Sequence, residues 1–148
     1  MAPNEAIERL VEKQFDAHNS RDWDVYRSTT SDDYEFVDHR PAGFGTIIGK
    51  EGFLEFLKSA IELVPDRRLT LTEWFPDADA RVDATDVSVV AARVLGDGTD
   101  EYGSRVNWEF IGVWQCRQGQ VVRLEIFDPL SVDEAVGRAQ ALSSGGVT

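Results

Sequence analysis

The chain has a single cysteine, Cys116, and only two histidines, His18 and His39, among its 148 residues. One thiol excludes an intrachain disulfide and any thiolate-rich metal centre. The two histidines do not stand at ligand spacing, so no metal is expected. Glycine-rich stretches exist, but none carries the GK[ST] of a phosphate loop or dinucleotide-binding spacing, and no other cofactor is expected. A nucleophile-elbow serine is also missing, which removes Ser-His-Asp chemistry. Positive charge is scarce, with 15 Lys and Arg against 27 Asp and Glu for a net charge of −12. Such a surface repels phosphate backbones and anionic membranes, so neither nucleic acid nor membrane is an expected partner. No apolar run approaches spanning length, and the charged N-terminal stretch has no leader-like apolar segment. The expectation is a cytoplasmic protein.

What is present points to a globular fold. Apolar residues make up 42% of the chain and aromatics 10%, enough to build a core in one domain of this length. Residues 1–142 read as that domain and 143–148 as a frayed tail, with no repeat and no interdomain linker.

The clearest pattern runs from Ser104 to Asp128. Val106, Trp108, Phe110, Gly112, Trp114 and Cys116 alternate strictly with their neighbours, the period of a strand. Gln118-Gly119 supplies a tight turn and residues 121–127 return. Counting outward from an Arg117–Gln120 pair puts Trp114 opposite Arg123, Gly112 opposite Glu125, and Phe110 opposite Phe127. One face then becomes an aromatic wall of Trp108, Phe110, Trp114 and Phe127, with Glu125 beside the gap at Gly112. A slip of one residue would carry Glu125 to the other face. Ile111, Val113, Leu124 and Ile126 occupy that other face, and no further segment is left to cover them. A homodimer through those four residues is therefore expected.

The remaining elements fall in order. Residues 4–19 have helical spacing (Ile7, Leu10, Val11, Gln14, Phe15, His18) behind an Asn4 cap, and Asp22 caps a short second helix. Residues 33–40 read as a strand with Tyr34, Phe36 and Asp38 on one face and Glu35, Val37 and His39 on the other. Gly43, Gly45 and Gly49 predict a loop, and Lys50 to Leu63 a third helix. Strands follow at 67–75 and 81–95, the second apolar on both faces, with a loop starting at Gly96. Residues 131–142 close the chain as a helix with a Ser131–Glu134 capping box. The order predicts an α+β cone-shaped roll, a strongly curved, mostly antiparallel sheet with helices packed on its concave side.

Several blocks carry a family resemblance: AHNSRDWDVY, YEFVDHRP, GKEGFLEFL, NWEFIGVWQ and VVRLEIFDPLSVDEAV. Together they resemble the nuclear-transport-factor-two-like superfamily, and within it the polyketide-cyclase-type SnoaL-like domains. The resemblance implies a pocket for a small hydrophobic molecule. It also places Asp38 where ketosteroid isomerases of this fold carry their proton-shuttling base. The isomerase oxyanion donors do not carry over, since Gln14 and Gly112 stand at those places. Glu125 matches one acid of limonene epoxide hydrolases, whose Arg-x-Asp pair falls near Ser88 and Val90.

Asp38 and Glu125 are thus the candidate catalytic pair. Beside Tyr34 and Phe36, low dielectric would raise the pKa of Asp38 and make it a usable base. The bland reading pairs Asp38 with Arg40 or His39, or has it cap the following loop. Glu125 would assist as an acid, or lie in a buried ion pair with Arg40 or Arg123. Tyr34, Phe36, Arg40, Trp108, Phe110, Trp114 and Phe127 are the candidate substrate-binding residues. Two functions stay open: a cofactor-free isomerase, cyclase or hydrolase using Asp38, or a non-catalytic ligand-binding or dimerisation module. Cys116, on the apolar face, reads as a small core residue.

Overall fold

The computed structural model describes residues 5–78, 80–82 and 87–143. Among them the order is α1 (Glu5–Ser20), α2 (Trp23–Ser28), β1 (Thr30–Asp38), β2 (Gly45–Ile48), α3 (Lys50–Leu63), β3 (Arg68–Trp74), a 3₁₀ turn at Pro76–Ala78, β4 (Ala80–Val82), β5 (Val87–Thr99), β6 (Arg105–Arg117), β7 (Gln120–Phe127) and α4 (Val132–Ser143). The sheet runs β2-β1-β7-β6-β5-β3, with β4 paired to β5 off this path. Among the described residues only β1 and β7 are parallel neighbours, and every other pairing is antiparallel. This is the expected α+β architecture. The sheet is open, ending at β2 and β3.

Local chemistry accounts for most boundaries. Asp22 caps α2 by accepting from the Val25 amide at 3.2 Å. Arg21, at φ 62°, turns the chain between the first two helices. Gln118 (φ 53°) and Gly119 (φ 77°) form the two-residue hairpin turn, and Arg117 pairs with Gln120 as counted. The loop expected around the three glycines holds the edge strand β2, paired with β1. The loop expected at Gly96 is strand instead, because β5 and β6 stay in register out to Thr99 and Arg105. The Asn4 cap and residues 144–148 of the expected tail lie outside the described residues, and Ser143 ends α4.

The hairpin register holds for only two pairs. Cys116 pairs with Val121, but Gln115 pairs with Arg123, leaving Val122 as an extra residue. This bulge moves everything beyond it by one. Trp114 now pairs with Leu124, Gly112 with Ile126, Val113 with Glu125 and Ile111 with Phe127. Glu125 and Phe127 therefore leave the aromatic face, and Leu124 and Ile126 join it. A regular strand would have aimed Arg123 and Glu125 into an apolar layer without partners. The bulge sends both to the face where partners wait.

Each face of the sheet has its own core. On one side α1, α2 and α3 cover Phe36, Val90, Val94, Phe110, Trp114, Leu124 and Ile126. On the other, α4 lays Ala135, Ala139 and Leu142 on Val87, Val89, Ala91, Ile111, Val113 and Phe127. The helices are thus not all on one side. The four-residue dimer patch does not exist as expected. Ile111 and Val113 are fully buried beneath α4, and Leu124 and Ile126 point to the opposite layer.

Candidate ligand cavity

Between the sheet and helices α1 to α3 lies a cavity of about 550 Å³. This is the range in which small-molecule sites fall. Its sheet wall is Phe36, Val106, Trp108, Phe110, Trp114, Leu124 and Ile126, and α3 contributes Phe53, Phe56, Leu57 and Ala60. The polar lining is short: Gln14, His18, Tyr26, Arg40, Ser59 and Arg67. In a chain with 27 acidic residues, no carboxylate side chain among the described residues lines this wall.

Five of the seven expected binding residues meet here: Phe36, Arg40, Trp108, Phe110 and Trp114. Tyr34 lies behind the wall, 4.9 Å from the Phe53 ring and almost fully buried. Phe127 is on the far face, stacked 4.5 Å from His39. The expected gap at Gly112 is filled, because the Trp114 indole folds over it. A Cβ at Gly112 would stand 2.5 Å from that ring. Gly112→Ala is therefore expected to lower stability by about 1–3 kcal/mol through overpacking, read as a fall in the urea midpoint at unchanged slope.

Asp38 is buried, yet it is locked rather than poised. Its carboxylate accepts from Arg40 Nε (2.9 Å), Arg40 Nη2 (2.8 Å), the Arg40 amide (3.0 Å) and the Phe44 amide (3.0 Å). Burial pushes its pKa up, but these four donors outweigh burial and hold it below the usual aspartate range. The expected raised pKa is thus reversed. Asp38 closes the loop after β1 and aims Arg40, whose guanidinium sits 5.9 Å from both the Phe44 and Phe110 rings.

Glu125 belongs to a different neighbourhood. Its carboxylate, fully buried, meets Arg123 Nε, Arg138 Nε and His39 Nε2, and Arg123 also binds Glu35 at 2.7 Å. Burial opposes ionisation, but the Arg138, Arg123 and His39 contacts prevail and bring its pKa down to about 2. This cluster pins α4 to β7 and β1 on the face away from the cavity. Asp38 and Glu125 therefore do not form a pair in one site. His39 faces away from Asp38, as alternation required, and joins this network with 32% of its side-chain surface accessible. Cys116 is core, as expected, its thiol pushed by burial up to about 12.

The polar corner of the cavity was not assembled from the sequence. Asn19 mimics a strand neighbour, donating Nδ2 to the Leu69 carbonyl (2.8 Å) and accepting the Leu69 amide (2.9 Å). Its Oδ1 is thereby set as an acceptor, so His18 Nδ1, 2.9 Å away, carries the proton. His18 Nε2 then accepts from Arg67 Nε at 3.3 Å. Burial brings the His18 pKa down to about 4, with nearby Arg67 and Arg21 helping and the Asn19 bond opposing, so the ring is neutral at physiological pH. The Arg67 guanidinium lies 4.8 Å over the Trp108 ring.

An open α+β roll with an apolar cavity between its helices and its sheet is the form of an NTF2-like protein. The chain matches the SnoaL-like domain over residues 11–124, and it belongs to that family. Solved structures agree on the fold. One is a Novosphingobium aromaticivorans protein provisionally named an aromatic ring hydroxylase. It is 20% identical, with TM-score 0.72, over 91% of this chain and 99% of that one. A Jannaschia protein provisionally named a SnoaL-like polyketide cyclase is 23% identical, with TM-score 0.62, over 92% and 95%. TerC, crystallised with polyporic acid, is 24% identical, with TM-score 0.60, over 89% and 98%. Among curated proteins, none matches this chain.

Proposed function

We propose that this protein binds a small, hydrophobic, ring-bearing molecule in the cavity between α1, α3 and the sheet. The observation that carries this reading is the cavity itself, about 550 Å³ and walled by aromatic side chains from both layers. Trp108, Phe110 and Trp114 line it from β6, and Phe53 and Phe56 from α3. Stacking contacts of this kind are worth about 0.5–1.5 kcal/mol per pair beyond area burial. The structural likeness to TerC, crystallised with polyporic acid, and to a protein provisionally named a polyketide cyclase agrees with a ligand of this type.

A carboxylate-based isomerase mechanism finds no support in the geometry. Asp38 has its lone pairs occupied by four donors, and Glu125 is on the other side of the sheet. Any proton transfer to a bound molecule would fall to the corner formed by His18, Tyr26 and Arg67.

The test fills the cavity without touching its polar groups. Ala60, half-buried on α3, lines the wall. Ala60→Trp should keep the fold while abolishing the thermal shift given by polycyclic aromatic carbonyl compounds. A wild-type ligand at a hundred times its dissociation constant stabilises by ~2.7 kcal/mol, a readily measured shift. If no compound of this class shifts the wild type, or if Ala60→Trp responds equally, the cavity is not the site.

A further inference from the structure

We infer that the cavity selects an anionic, ring-bearing ligand, with the Arg67 guanidinium as the group that receives its acidic end. This rests on the cavity being a ligand site and adds the chemistry it would recognise.

The argument begins with Arg67's hydrogens. A guanidinium has five N–H donors. One, on Nε, goes to His18. Among the described residues, no acceptor meets its four Nη hydrogens and no carboxylate forms an ion pair with it. The other two nearby arginines are engaged. Arg21 donates to the carbonyls of His18, Pro65 and Arg67, and Arg40 is bidentate on Asp38. Of the two arginines lining the cavity, Arg67 is the one with no carboxylate partner among the described residues.

Its surroundings reinforce the point. Burial lowers its pKa to about 10, with Arg21 and Arg40 adding repulsion, so it is still a cation at neutral pH. A half-buried cation without a counter-ion is costly in a folded protein. Stacking on Trp108 and the bond to neutral His18 offset only part of that cost. The phenol of Tyr26, buried in the same lining, has no hydrogen-bond partner among the described residues. Arg67 is close enough to it to oppose the rise that burial imposes on its pKa. An unpaired guanidinium and an unpaired phenol in an aromatic cavity suit a carboxylate or an enolate-type oxygen on a ring system. The acid-free wall removes the repulsion that the chain's net charge would otherwise set against such a ligand.

The test uses two probes of one shape, 2-anthracenecarboxylate and neutral 2-anthracenemethanol, titrated calorimetrically at pH 7.5. The wild type should bind the carboxylate about ten-fold or more tighter, the ratio expected of one charge-assisted contact. Arg67→Gln keeps an N–H donor for His18, and Arg67→Met keeps the stem packed on Trp108. Either variant that folds should bring the two affinities within about two-fold, mainly by weakening the carboxylate. Equal affinities in the wild type, or a preference that survives loss of Arg67, would overturn the assignment and leave the cavity reading standing. If neither probe binds the wild type, the cavity reading beneath it fails as well.

Discussion

Glu125→Ala is expected to lower stability by about 3–5 kcal/mol, the cost of breaking a buried ion pair from one side. Glu125 is completely buried, and the groups it neutralises are scarcely better exposed: Arg123 has 10% of its side-chain surface accessible and Arg138 has 22%. Without the carboxylate, two guanidinium groups and His39 converge on an empty position under α4. Glu125→Gln should be nearly as damaging, because in either orientation its amide nitrogen would face two of the groups that now contact a carboxylate oxygen. Glu35→Ala, which removes the more exposed end of the network, should cost about 1 kcal/mol or less. Urea denaturation of the three variants gives the ranking. Folded Glu125→Gln should still bind cavity ligands with wild-type affinity, since the network faces away from the cavity. A loss of affinity with stability unchanged would return Glu125 to the site.

The same residue shows where the sequence was readable and where it was not. Periodicity located the helices, the β6–β7 hairpin and its turn, because apolar alternation and a Gln-Gly turn are local signals. It could not reveal the bulge at Val122, since inserting one residue leaves the apolar pattern of a strand as plausible as before. The consequence was large, as one extra residue exchanged Glu125 and Phe127 for Leu124 and Ile126. The role of α4 was hidden for a related reason. Its apolar stripe of Ala135, Ala139 and Leu142 says that it packs, but not on which face. An uncovered outer sheet, and with it a dimer patch, was the result.

The cavity was legible in part. Phe36, Trp108, Phe110 and Trp114 were visible because aromatic residues alternated on recognisable strands. Arg40 followed from its place beside Asp38. His18 stood in the apolar stripe of α1, which was the available signal that its ring faces inward. Arg67 gave none, sitting between Asp66 and Arg68 at the mouth of β3 like any solvated charge. Only the fold brings it to His18, 49 positions away. The locking of Asp38 was foreseeable as one of two readings, and the Phe44 amide, six residues on, decided between them.

His18 leads to the second large effect, a loss of stability on mild acidification. The folded protein holds this ring neutral, with a pKa of about 4 against 6.5 for a free side chain. Below pH 6.5 the unfolded chain takes up a proton that the folded chain refuses, so stability falls as pH drops from 6.5 towards 4 and levels off below. The shift corresponds to roughly 3 kcal/mol at full extent. Glu125 acts in a lower window. Its depressed pKa contributes stability that is complete above about 4.5 and lost as pH falls towards 2. Two successive limbs are therefore expected in a plot of unfolding free energy against pH, separated near pH 4. His18→Gln, which cannot titrate but can still accept from Arg67, should remove the upper limb and leave the lower one. Urea titrations at pH 7.5, 6, 5 and 4 on both proteins make the comparison. Parallel curves through that range would mean that His18 takes up its proton in the folded state, and the neutral ring holding Arg67 in the cavity would have to be abandoned.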